Sequence, residues 1–342
     1  MKLRLLMWLA MLVAAPATAQ TPKPLFASED VIHLTIRGPL RTLIKNRTSD
    51  PVPGSLTLAS GETLPINLSP RGITRRKSEV CSFPPLRVEF RGQPPAGSLF
   101  AGQHRLKLVT HCHDSAAFQQ YLLLEYAAYK MFNVLTPASF RVRLASIDYQ
   151  SDDGKPIVSR LGYFLEDTGD LAKRNSLREI HAGDRIPLES LSPLHAARYA
   201  LFEDMIANHD WSMRAGPKGD ECCHNAKLIG TGALSAGAVI PVPYDFDFSG
   251  MVGAPYAGPP PELDISSNKD RLYRGYCVHN REASTVVAQM RAARPQMLAA
   301  LSSVPQLDEG TKRRAAAFVD AFFNQEASEA RFTSKVLNRC VT

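Results

Sequence analysis

The feature that most narrows the fold is a change of hydrophobic period along the chain. Between residues 30 and 163 the segments VIHLTIRG, PLRVEFRG, HRLKLVTHC, FRVRLASIDY and PIVSRLGYFLED alternate apolar with polar side chains or are rich in β-branched residues, and each is bounded by Gly, Pro or Asp. A period of two puts alternate side chains on opposite faces, so these are predicted strands. From about residue 167 the period becomes helical, over 193–208, 283–301 and 308–337, with capping-type residues near each start. One helix interrupts the strands: residues 117–135 lack Gly and Pro and are apolar around most of the circumference. Strands and helices segregated in this way predict an α+β chain of two lobes, strand-rich over 26–166 with one inserted helix, and helix-rich over 167–342. The stretches 51–72, 92–97 and 253–261, which carry Pro and Gly, read as surface loops.

On a helical wheel of the inserted helix, Glu125 falls between Phe118 and Phe132, inside the apolar arc. An unpaired carboxylate buried there would cost several kcal/mol, so it needs a proton or a cation. Lys107, on the preceding strand and flanked by Leu106 and Leu108, is the predicted partner.

The N-terminus, MKLRLLMWLAMLVAAPATAQ, places Lys2 and Arg4 before an apolar run and then Ala17-Thr18-Ala19. That order predicts a secretory signal over residues 1–19 and a periplasmic or secreted mature chain. The run is shorter than the roughly 20 residues of a spanning helix, so no transmembrane segment is expected in the mature chain. Removal of Lys2 and Arg4 lowers the formal net charge from +7 to +5, and the remaining basic residues are scattered without interleaved aromatics, which argues against a nucleic-acid partner. Six cysteines remain, Cys81, Cys112, Cys222, Cys223, Cys277 and Cys340. An even number in an exported chain reads as disulfides, with connectivity left open by the spacing.

The helix-rich half collects short polar groups after apolar segments, in IANHDWS, HNAKLIG and PVPYDFDFSG. Asp245 and Asp247 are two apart, so on an extended stretch both carboxylates share a face, where they repel unless a proton or a hard cation lies between them. An Asp, then an Asn, then another Asp is the equipment of phosphoryl transfer: one acid takes the hydroxyl proton, and the amide and the later acid hold metal against the phosphates.

Here LKLVTHC, EYAAYKMFNVLTPASFRVRLASIDY, FLED with LAKR, NHD, HN and IPVPYDFDFSG together resemble the CotH-type kinases, a secreted or spore-coat branch of the atypical protein-kinase-like superfamily, over residues 32–250. The resemblance implies a bilobal protein-kinase-like fold. Lys107 would contact nucleotide phosphates and pair with Glu125, Asp210 would be the catalytic base, and Asn225 and Asp245, with Asp247 beside them, would hold Mg2+ or Mn2+ with ATP as a donor. The chain departs from that pattern in having no Gly-rich phosphate loop before Lys107 and a cysteine-bearing insertion between Asp210 and Asn225. The implied function is an exported phosphotransferase acting on a protein or small hydroxyl acceptor, and the alternative is a kinase-like scaffold for envelope binding or assembly.

Two further constellations carry less. His111-Cys112-His113-Asp114 and Cys222-Cys223-His224-Asn225 look like halves of a zinc site, but C-x-x-C spacing is absent and export favours oxidised thiols. A Ser/His/Asp hydrolase would need a nucleophile elbow, and no G-x-S-x-G is present.

Overall fold

The computed structural model describes residues 22–342, so the leader-like segment 1–19 lies outside the described residues. The first half runs β1 (Ile32–Arg37), α1 (Leu40–Asn46), β2 (Val52–Leu58), β3 (Thr63–Pro70), β4 (Leu86–Phe90), β5 (Arg105–Val109), α2 (Ala116–Leu135), β6 (Val142–Gln150) and β7 (Pro156–Leu165). The second runs α3 (Thr168–Arg174), β8 (Arg178–Glu179), α4 (Pro193–Ile206), β9 (Ala226–Gly230), β10 (Val239–Pro243), α5 (Asn280–Ser302), α6 (Glu309–Ala321) and α7 (Phe332–Lys335).

The predicted bilobal protein-kinase-like architecture, a strand-rich lobe with one inserted helix set against a helical lobe, is not the one the chain adopts. Seven strands close into a mixed barrel in the order β1-β2-β3-β4-β5-β7-β6. Closure is made by β6 returning to β1 in parallel register, from Ile32 opposite Ala145 to Arg37 opposite Gln150, while every other neighbouring pair in the barrel is antiparallel. The two barrel strands absent from the sequence prediction, β2 and β3, come from the stretch 51–72 that reads as a loop. Its prolines disguise it, because Pro lacks an N–H and is usually confined to sheet edges. Pro65 nevertheless sits in β3 between β2 and β4, opposite Ser55, and its carbonyl accepts from Arg91 N at 2.9 Å.

The barrel interior is one apolar core, with Ile36, Leu56, Ile66, Leu68, Val88, Leu106, Leu108 and Ile147 at or near zero exposure. A second core lies outside it. There Val142, Leu144, Leu161 and Tyr163 from β6 and β7 pack with the buried faces of α2, α4, α5 and α6. Helix α2 starts at Ser115, whose hydroxyl accepts from Phe118 N, and it packs on both the barrel and α5, so strands and helices share this core. The predicted long helix over 308–337 breaks: α6 ends at Ala321, a π turn spans Phe322–Glu326, and α7 follows. No described helix is long and apolar enough to cross a membrane.

Helix α4 is buried around nearly its whole circumference and takes two acids into the core. Neither oxygen of Glu203 or of Asp204 has a hydrogen-bond partner among the described residues, and burial pushes both carboxyls well above the ordinary range.

Two outcomes are expected. Glu203→Gln and Asp204→Asn should raise stability at neutral and alkaline pH. The folded wild type holds these protons more tightly than the unfolded chain, so its stability is intact below the unfolded carboxyl range of about 4 and falls as pH rises toward the raised folded values. Urea midpoints measured across pH check this; a gap between variants and wild type that persists undiminished in acid would contradict it. In the β2–β3 hairpin, a Cβ on Gly54 would come within 2.6 Å of the Arg37 carbonyl oxygen. Gly54→Val should therefore lower stability by about 1–3 kcal/mol through overpacking, read as a lower urea midpoint.

Candidate functional site

The site is organised by a residue that no sequence pattern marks. Arg75 lies in the irregular segment between β3 and β4, is 8% exposed, and reaches three carboxylates. Its Nη1 and Nη2 donate to Glu125 Oε2 and Oε1 at 2.9 and 3.3 Å, Nη2 also donates to Asp245 Oδ1 at 2.7 Å, and Nε lies 3.1 Å from Asp247 Oδ2. Glu125 is thus buried and paired, as its place on the wheel demands, but with Arg75 and not with Lys107. The Arg75 segment is held by the Cys81–Cys112 disulfide (S–S 2.04 Å), which ties it to the approach to α2, and by Arg47, which donates to the Arg76 and Ser82 carbonyls at 2.9 Å.

Phe246 explains how Asp245 and Asp247 come to face one guanidinium. Its ring is fully buried 4.7 Å from Tyr129 of α2 and 5.6 Å from Phe202 of α4, so the two flanking acids turn away from the core together. The backbone there is not a strand: Asp245 has φ +67°, and its N–H donates to Tyr129 Oη at 2.8 Å.

The charges in this cluster are unequal. Burial disfavours the Arg75 charge, but Asp247 and Glu125 outweigh it and hold the guanidinium firmly protonated. Burial pushes Glu125 and Asp247 above the ordinary carboxylate range despite Arg75. Asp245 goes the other way: against burial, Arg75 first and then Arg71 and Lys107 hold it below that range. Three acids thus share one arginine, and the ligand oxygens of Glu125, Asp245 and Asp247 lie within 4.8 Å of one another. Both oxygens of Glu125 are on Arg75, whereas Asp245 Oδ2 and Asp247 Oδ1 have no partner among the described residues. This donor set suits a hard cation on the two aspartates, with Glu125 as the anchor of Arg75.

The other predicted residues converge on the same cleft. In the β9–β10 hairpin Ala226 is opposite Pro243, so the open end of the hairpin brings Asn225 and Asp245 together. Asn225, with φ +48°, donates from Nδ2 to the carbonyl oxygen of Asp210 at 2.6 Å and to its Oδ2 at 3.0 Å. His224 Nε2 lies 2.6 Å from Asp210 Oδ1, and this hydrogen bond holds the imidazole above its ordinary value. Asp210, Asn225, Asp245 and Asp247 all line one cavity of about 470 Å3.

Lys107 borders the adjoining cavity, of about 420 Å3, and Arg71 and Lys227 line both. Its ammonium lies 4.6 Å from the centre of the Tyr244 ring, with Lys227 5.9 Å from the same ring. Burial first, and then Arg71 and Lys227, lower the Lys107 ammonium to about 7. On the neighbouring strand Arg87 of β4 is directly opposite Lys107 of β5, a position in which like charges repel.

Cys81–Cys112 and Cys277–Cys340 form disulfides, and the sulfurs of Cys222 and Cys223 face each other. His113 bonds the Val80 carbonyl and His224 bonds Asp210, so the two histidine–cysteine runs do not assemble a common site. The chain matches no family model and no curated protein, so its likeness to the CotH-type kinases rests on the quoted residues alone.

Arg75→Met should destabilise by about 3–5 kcal/mol, because it strands buried carboxylates without their cation, whereas Lys107→Met strands none and should cost far less. Denaturant melts of the two variants check the assignment, and the reverse ranking would return Glu125 to Lys107.

Proposed function

We propose that this protein is a divalent-metal-dependent phosphotransferase, moving a phosphoryl group to a hydroxyl of a protein or small-molecule acceptor. The observation that carries the reading is the junction of a cationic cavity and an acidic one across Arg71 and Lys227, with Asp210, Asn225, Asp245 and Asp247 on the acidic side. Arg71, Lys107 and Lys227 would bind and orient the phosphates. Asp245, Asp247 and Asn225 would hold Mg2+ or Mn2+, which when bound offsets phosphate charge. Asp210 is kept in place by His224 and Asn225 while its side chain remains 33% exposed to the cleft, so it can take the proton from an acceptor hydroxyl as the oxygen–phosphorus bond forms and the donor leaves with its electron pair. The leader-like segment and the paired cysteines support an oxidising compartment, periplasmic or extracellular.

One observation favours a second reading, a binding or assembly protein: Arg75 already takes one oxygen from each of Asp245 and Asp247, so the protein supplies a cation of its own. Thermal shift and transfer assays separate the two. For the enzyme, Mn2+ with a phosphoryl donor should raise the melting temperature, a bound ligand at a hundred times its Kd adding about 2.7 kcal/mol. Asp245→Asn should abolish the Mn2+ response, and Asp210→Asn should keep it but lose transfer by about 10²–10⁴-fold. A wild type that neither shifts nor transfers leaves only the binding reading.

A further inference from the structure

The cationic cavity is unusual in what its charges lack. Arg71, Arg87, Arg105, Lys107 and Lys227 line it, and none of the five side chains makes an ion pair or a hydrogen bond among the described residues. The acids on its wall are otherwise engaged. Glu166 accepts Arg174 Nε and Nη2 at 3.0 Å and the Arg141 N–H at 3.0 Å, and Asp167 caps α3 by accepting from Gly169 N at 2.9 Å. Glu179 is the remaining carboxylate. Five cations that outnumber the acids around them and make no direct ion pair bind a multivalent anion strongly.

The same wall offers a nucleobase no exposed apolar side chain. Its two apolar residues, Leu106 and Leu165, are 1% and 2% exposed, their side chains buried in the barrel core and in the core outside it. The Tyr244 ring has Lys107 and Lys227 at its face, and the ring that lines the cavity is the exposed His181 imidazole. Arg105 also lines a neighbouring cavity on the barrel surface, where Lys23 and Lys173 stand among Glu89, Asp167 and Asp170. A base would find charge where it needs a flat apolar slot, while the five cations of this cavity suit a chain of phosphates.

Resting on the phosphotransferase reading, we propose that the donor bound in this cavity is a linear inorganic polyphosphate and not a nucleoside triphosphate. The bond broken is then the terminal P–O–P bridge. The phosphoryl group passes to the acceptor oxygen, the electron pair stays on the bridging oxygen of the shortened chain, and the acceptor proton goes to Asp210.

The test is a calorimetric titration of the full chain at fixed ionic strength with tripolyphosphate, longer polyphosphates, ATP and AMP. Tripolyphosphate should bind at least as tightly as ATP, affinity should rise with chain length and fall with salt, and AMP should not bind. Arg87 and Arg105 are exposed, so Arg87→Gln with Arg105→Gln should fold normally, weaken polyphosphate about tenfold, and leave the thermal shift with Mn2+ alone intact. ATP binding tighter than tripolyphosphate, or a double variant that binds polyphosphate unchanged, overturns the inference. Transfer from ATP alone would overturn it while leaving the phosphotransferase reading standing. If neither compound binds or donates, both fall.

Discussion

Arg75 and its three carboxylates are the interaction on which the rest of the site depends. Glu125 lies 50 residues from Arg75 and Asp245 lies 170 away, so one guanidinium joins the segment between β3 and β4, the inserted helix, and the turn after β10. Removing these charges from water costs several kcal/mol per ion, and the arrangement holds because each nitrogen of the fork finds a carboxylate oxygen. Helix α2 can then bury its apolar face without stranding Glu125. The turn at Asp245 can hold an αL conformation because the carboxylate and the backbone N–H are both fixed.

Around that anchor the surface divides by sign. Outward-facing positions of β4 and β5 contribute Arg87, Arg105 and Lys107, and the open end of the β9–β10 hairpin contributes Asn225 and the approach to Asp245. The two sets meet at Arg71 and Lys227. An unpaired cationic wall beside an acidic pocket with two free aspartate oxygens is a costly arrangement for an apo fold. That cost is the physical reason to look for ligands of both signs here, since sites of function are where local rules of stability are broken.

Much of the site was legible in the chain. The wheel of residues 117–135 places Glu125 in the apolar arc, and the residue is buried there. The Asp-Phe-Asp spacing correctly puts both carboxylates on one side, although through a turn anchored by Phe246 and not through a strand. The partner of Glu125 was not legible. Lys107 is adjacent in sequence pattern, but Arg75 sits in a segment with no period, and its approach depends on a disulfide that joins Cys81 to Cys112. His224 was visible only as half of a zinc motif, because its bond to Asp210 requires the backbone of residues 212 and 224 to be brought side by side.

What the sequence determined by itself is local: which segments alternate, which helix carries a misplaced acid, and which polar groups follow apolar runs, since period and spacing are properties of neighbours. Only the tertiary structure decided that the strands close into a barrel. That outcome turns on a hairpin whose prolines disguise it and on a parallel pairing between β1 and β6, which joins residues more than a hundred positions apart and whose register no local pattern encodes. It also decided which cation meets which carboxylate, because charge pairing in a buried site is settled by the distances that remain once the backbone has closed.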